Sequence, residues 1–172
     1  MEDLTLLPKI SLSSLETYSH HKLVEIAFNW CKTRYGVVVM ERSEKWGEIP
    51  DVVGMNLSDS ILIECKVSRS DFMRDRKKFS RVNGGMVGNY RVYCCPKGLL
   101  KETDLPEGWG LLEVYPSGFA RLKKNIFTHR GYHHPLCSDG YKGERHLLYA
   151  VLRDKDNPDL NHKIFLQANT NY

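Results

Sequence analysis

A chain of 172 residues with 41% hydrophobic and 27% charged side chains has the composition of an ordinary globular protein, long enough for one sizeable core and cramped for two. No apolar run approaches the roughly 20 residues that cross a bilayer, and the start lacks the basic and apolar regions of a signal peptide. A single cytoplasmic domain over 1–172, with no membrane partner, is therefore expected. The net charge of +4 is uneven: residues 1–65 carry 6 basic and 10 acidic side chains, 66–101 carry 10 and 2, and 102–172 carry 9 of each.

Residues 1–13 show no clear period and read as a loose arm. From about Ser14 to Arg34, Leu23, Ile26, Ala27 and Trp30 recur at helical spacing, widened by Val24, Phe28 and Cys31, and Gly36 reads as the C-cap. Three β-rich segments follow, Val37 to Met40, Ile49 to Met55 and Ser60 to Val67. Ser70 is placed to cap a helix reaching Phe79 or Arg81, with Phe72, Arg76 and Phe79 on one side and Arg74, Lys78 and Arg81 on another. Asp71 and Asp75 read as surface partners of the cations beside them. Asn83 to Gly88 holds too little apolar content to anchor itself.

Strands are expected at Tyr90 to Cys95, stopped by Pro96, at Gly110 to Tyr115 and at Phe119 to Leu122, with a short turn or helix over Leu99 to Pro106. Residues 128–143, with His129, His133, His134 and Cys137, read as an irregular excursion. A last helix spans Glu144 to Arg153, and the polar tail adds a strand at Lys163 to Leu166. This order fits an α/β domain with a mixed central sheet. The five cysteines fit no disulfide framework and read as reduced thiols.

The informative segment joins Ile49-Pro50-Asp51-Val52-Val53-Gly54 to Ile61-Leu62-Ile63-Glu64-Cys65-Lys66-Val67. A turn centred between Leu57 and Ser58 sets Asp51 across from Glu64, Val53 across from Leu62 and Ile49 across from Lys66. Leu62, Glu64 and Lys66 then share one face, and Ile61, Ile63, Cys65 and Val67 the other. Facing carboxylates with Cβ atoms about 4.5–5.5 Å apart destabilise a sheet unless a cation lies between them. Mg²⁺ suits such a pair, because it takes one or two carboxylates together with waters and phosphate oxygens. A plain surface hairpin is the alternative, and the basic belt that follows, from Lys66 to Lys101, favours chemistry on a polyanion.

Pro50-Asp51, twelve residues, then Glu64-Cys65-Lys66 resembles the PD-(D/E)XK nuclease signature. Glu64 to Phe72 with Asp75, Lys77 and Lys78, then Tyr90-Arg91-Val92-Tyr93 leading to Pro96, then Leu105 to Leu112, is similar to MmcB-like DNA repair proteins, a likeness covering about residues 23–124. The resemblance implies a restriction-endonuclease-like core. It implies that Asp51 and Glu64 hold Mg²⁺, with Mn²⁺ as a substitute, that the Cys65 carbonyl is a third ligand, and that Lys66 is the catalytic lysine. The implied activity is an endo- or exodeoxyribonuclease acting in repair, recombination or a phage context, with DNA preferred over RNA. The alternative is an inactive DNA-binding module of the same fold that recruits other factors.

Members of that superfamily often add a glutamate from the first helix. Glu25 is the candidate here, although it points away from the apolar stripe, and Glu41 and Glu48 are its rivals. Arg69, Arg74, Lys77, Lys78 and Arg81 are the expected contacts to nucleic acid. His133, His134 and Cys137 with Cys94 or Cys95 contain zinc-type donors at a spacing that matches no strong zinc pattern; a polar loop with buried thiols is the plainer reading, and the same loop, with Arg130, Tyr132, Tyr141 and Lys142, could instead stack on and grip a strand. A sheet edge or the final helix is where two copies would pair as a homodimer.

Overall fold

In the computed structural model, residues 18–41, 49–77, 87–127 and 138–167 are described. Ser19 accepts a hydrogen bond from the Lys22 amide at 3.2 Å and starts helix α1, His20–Lys32, filling one of the bonds a helix start leaves open. The helix ends at Thr33, whose hydroxyl donates to the Trp30 carbonyl at 2.9 Å. Gly36 is therefore not the cap. Its amide donates instead to Asn56 Oδ1 at 3.0 Å, tying the exit of α1 to a hairpin turn.

Strand β1 spans Val37–Met40, β2 Val52–Met55 and β3 Ser60–Cys65. The β2–β3 register pairs Val52 with Ile63 and Val53 with Leu62, so the expected hairpin register holds. Ser68 rather than Ser70 caps helix α2, Arg69–Asp75, which is shorter than the sequence pattern suggests. Then come β4 (Tyr90–Pro96), a 3-10 turn (Glu102–Asp104), β5 (Trp109–Val114) and β6 (Ala120–Lys124). Helix α3 spans Ser138–Asp154, and β7 (Ile164–Leu166) follows a second 3-10 turn. Part of the expected excursion is thus helical: Gly140 and Gly143 are buried on the face of α3 that also buries Leu147, Ala150 and Val151. Close packing there outweighs the roughly 1 kcal/mol helix cost of each glycine.

The seven strands form one sheet in the order β6-β5-β4-β3-β2-β1-β7, with β3, β4 and β5 parallel and the remaining pairs antiparallel. The domain is α/β, a mixed sheet flanked by helices. One face packs Ile61, Ile63, Cys65, Val92 and Cys94 beneath Leu23, Ala27 and Cys31 of α1. The other packs Leu62, Tyr93, Cys95 and Leu111 beneath Phe72 of α2 and Leu147 and Val151 of α3. Strands β2, β3 and β5 are buried along their whole length and β4 at all but its two end residues, as a sheet covered on both faces requires. Fully burying one such side chain is worth about 1.5–3 kcal/mol.

The described end of the Asn83 to Gly88 segment is anchored, contrary to expectation. Val87 is buried, the Gly88 amide donates to Glu144 Oε1 at 3.1 Å, and Ser60 Oγ donates to the same oxygen at 2.5 Å. Gly88 has φ of 89°, and a Cβ there would lie 2.7 Å from the Leu62 amide nitrogen, so only glycine fits.

Candidate active site

The carboxyl ends of β3, β4 and β5 and the start of β2 meet at one end of the sheet, the position where open α/β sheets place their ligands. Glu64 is the penultimate residue of β3, on the face of Leu62. Lys66 follows the strand, its backbone still held to β4 because its amide donates to the Cys94 carbonyl at 2.8 Å. Period-2 geometry brings the two side chains together, and Lys66 Nζ lies 3.1 Å from Glu64 Oε2.

The same ammonium lies 3.4 Å from Asp75 Oδ1, and Asp75 Oδ2 accepts from the Tyr93 hydroxyl at 2.8 Å. Glu64, Lys66 and Asp75 are 3%, 5% and 2% exposed. Asp75 is therefore not a surface partner of neighbouring cations. It stands three residues after the buried Phe72, one turn along the face of α2 that packs on the sheet. Tyr93 is fixed by stacking on Trp109, with ring centroids 4.3 Å apart, and by the edge of Phe72 at 4.9 Å. Burial pulls the Lys66 ammonium towards lower pKa, but Glu64, Asp75 and Asp51 together outweigh it and leave the lysine above its usual range.

Asp51 immediately precedes β2, and the observed register sets it across from Glu64. Its Oδ2 accepts from the Cys65 amide at 2.7 Å, and its Oδ1 lies 3.3 Å from His20 Nε2 at the first turn of α1. His20 is a neighbour that helical periodicity gives no reason to single out. The Cys65 thiol is buried with the apolar face and held well above the usual thiol range by that burial and by Cys94. Only the backbone of Cys65 is thus available to the site.

Glu25 lies with its own helix neighbours, 3.0 Å from Lys22 Nζ and 3.4 Å from His21 Nε2, with its carboxyl held below the usual range chiefly by Lys22. Glu41, with φ of 48°, lies 3.8 Å from His21 Nδ1. Neither carboxylate is brought to Lys66. Among the described residues, no three His, Cys, Asp or Glu side chains are arranged to hold a metal ion. The donor set nonetheless suits a hard cation such as Mg²⁺, since two carboxylates stand at facing register positions and water and phosphate complete its shell. Among the described residues zinc is poorly served. Cys94 and Cys95 sit on opposite faces of β4, both buried, and burial raises the Cys95 thiol to about 12.

The basic belt divides. Arg69 is bidentate to Asp104, at 2.8 and 3.0 Å, and joins α2 to the β4–β5 connection, so its guanidinium is already engaged. Arg91 is buried, with Nε donating to the Gly88 carbonyl at 3.3 Å. Arg74, Arg76 and Lys77 are exposed at the end of α2. Lys78, Arg81, Glu48, the 1–13 arm, His129, His133, His134 and Cys137 lie outside the described residues.

The arrangement defines an α/β domain with a buried acid–lysine–acid cluster at the carboxyl end of its parallel strands. No protein-family model and no curated protein matches the chain. Among solved structures it is similar to the SPO1766 protein of unknown function from Silicibacter pomeroyi, with a TM-score of 0.55 and 21% identity, covering 83% of this chain and 97% of that one. At that identity the likeness bears on the fold alone. Among the described residues, no helix is long and apolar enough to cross a membrane.

Proposed function

We propose that this domain is a Mg²⁺-dependent nuclease that hydrolyses phosphodiester bonds, in DNA by preference, on a restriction-endonuclease-like core. The observation that carries this reading is the Lys66 ammonium held between the Glu64 and Asp75 carboxylates, with Asp51 at the register position facing Glu64. Holding a lysine and two acids in near-complete burial is expensive, and replacing such groups with apolar ones is often neutral or stabilising. A cluster of this kind therefore points to chemistry rather than stability.

Asp51, Glu64 and the Cys65 backbone would hold the ion, which supplies a water of lowered pKa and offsets charge on the phosphate. Lys66 presents a fixed positive charge beside Glu64, placed to orient the attacking water or a phosphate oxygen. Asp75 and Tyr93 fix where that charge sits. Arg74, exposed on α2, and Lys77, exposed just beyond its end, supply phosphate contacts that position the substrate without reading its sequence.

The test is nicking of supercoiled plasmid DNA with Mg²⁺, comparing the wild type with Asp51→Ala and Lys66→Ala, alongside an RNA of matched length. Both variants are expected to lose at least about a hundredfold in rate. Equal cleavage by all three proteins refutes the reading, and faster cleavage of the RNA reverses the substrate preference.

A further inference from the structure

Among the described residues β6 is the outer strand of the sheet, so one row of its backbone amides and carbonyls meets no neighbouring strand. An open groove of about 670 Å³ runs between that edge and α1. Five consecutive residues, 118–122, line it. Side chains that alternate between two faces cannot all do so, and the main-chain edge of β6 and of the turn before it therefore forms one wall. Ile26 and Trp30 of α1, with Phe127, give the groove its apolar surface, and no acidic residue lines it.

The two faces of β6 differ in character. Ala120 and Leu122 are half-buried and point to the α1 side, where they pack on the core. Arg121, exposed between them, points to the other face and pairs in register with Glu113. That carboxylate is 6% exposed and already accepts from the Gly98 amide at 3.1 Å. Lys123 is exposed as well, where the register with β5 shifts. Neither cation is ion-paired among the described residues.

We propose that this edge receives an extended segment of a partner protein in which apolar and acidic residues alternate. The segment adds a further strand beside β6, main chain to main chain. Its apolar side chains, beside Ala120 and Leu122, enter the groove against Ile26, Trp30 and Phe127, and its acidic ones meet Arg121 and Lys123. Charge selects this occupant over a second copy of the chain. Two β6 edges would set Arg121, Lys123 and Lys124 against their own counterparts, and cations on an edge oppose such self-pairing. A strand of nucleic acid has no row of amides to offer the edge. The proposal does not rest on the nuclease reading, because β6 stands three places from β3 in the sheet and its groove contains none of Asp51, Glu64 and Lys66.

The experiment is a fluorescence-anisotropy titration of the full chain with a labelled peptide of about eight residues that alternates valine and glutamate. Two comparison peptides of the same length are used, one with its valines and glutamates in separate blocks and one alternating valine and lysine. Only the alternating valine–glutamate peptide is expected to bind, and hydrogen exchange in β6 should then slow at least about tenfold. Arg121→Glu with Lys123→Glu, both at exposed positions, should weaken that peptide about tenfold and admit the valine–lysine one. Phe127→Ala should also weaken it about tenfold by stripping apolar surface from the groove. Equal binding of the blocked peptide, indifference to the charge reversal, or protection that appears elsewhere and not in β6 overturns the proposal. So does failure of the alternating peptide to bind at about 1 mM. A chain already dimeric, with β6 protected before any peptide is added, makes a second copy the occupant and overturns it as well.

Discussion

Replacing Asp75 with asparagine keeps the shape of the side chain and removes its charge. In the native fold Lys66 would then lose the carboxylate oxygen 3.4 Å away, and the Tyr93 hydroxyl would trade a charged acceptor for a neutral one. A hydrogen bond to a charged group contributes about 1.5–3 kcal/mol, and stripping one partner from a buried pair costs about 3–5 kcal/mol. Lys66 keeps its contact with Glu64 at 3.1 Å, so the lower figure applies, about 3 kcal/mol. For a domain of this size that is a fall in Tm of about 6–12 °C. Urea and thermal unfolding of Asp75→Asn, Tyr93→Phe and the double variant give the cost and the coupling, which should be about 1 kcal/mol or more for residues in contact. Asp71→Asn is the control, expected within about 0.5 kcal/mol of the wild type. A loss in Asp75→Asn no larger than the control's, with additive single variants, would show that Asp75 behaves as a surface carboxylate and refute the cluster.

Gly54→Ala should destabilise the fold by about 1–3 kcal/mol through overpacking, because the new Cβ would lie 2.8 Å from Tyr35 Cγ with Cys31 Sγ closer still; a urea midpoint equal to wild type would contradict the packing of α1 on β2. Burial raises Cys31 and Cys95 to about 12 from the usual 9.0. Their un-ionised forms therefore stabilise the fold fully below pH 9, and this contribution shrinks as pH rises towards 12, because the unfolded thiols ionise first. Iodoacetamide at pH 8 should leave both unlabelled until urea is added, and labelling of either in the native protein would show a solvent-accessible thiol. Arg74→Ala together with Lys77→Ala should weaken DNA binding similarly for unrelated sequences and lower its salt dependence by about two phosphate contacts; an effect confined to one sequence would contradict a backbone role.

Local signals made much of this legible. The Asn56 to Asp59 turn and the period-2 run from Ile61 to Lys66 were enough to set the β2–β3 register, and with it the facing of Asp51 and Glu64 and the contact of Glu64 with Lys66. Asp75 reads as a surface residue because its aspartate-rich, cation-rich neighbourhood looks solvated; its burial makes sense only beside Lys66, which reaches it by a tertiary contact. The clue was its three-residue spacing from Phe72. Arg91 falls within the basic belt of the sequence, yet it shares a face of β4 with Tyr93 and Cys95, the face that α2 and α3 cover. Pairing of β7 with β1 joins distant parts of the chain, and nothing in a short polar tail announces it. His20 at Asp51 depends on where α1 crosses the sheet, which periodicity alone does not fix.

Anomalous diffraction from a crystal soaked in Mn²⁺ bears most directly on the proposed centre. A peak within coordination distance of both the Asp51 and Glu64 carboxylates is expected, and it should be absent in Asp51→Ala. A protein that cuts DNA with Mn²⁺ yet shows its ion elsewhere, or with only one of those acids in reach, would contradict the centre built from Asp51, Glu64 and Lys66.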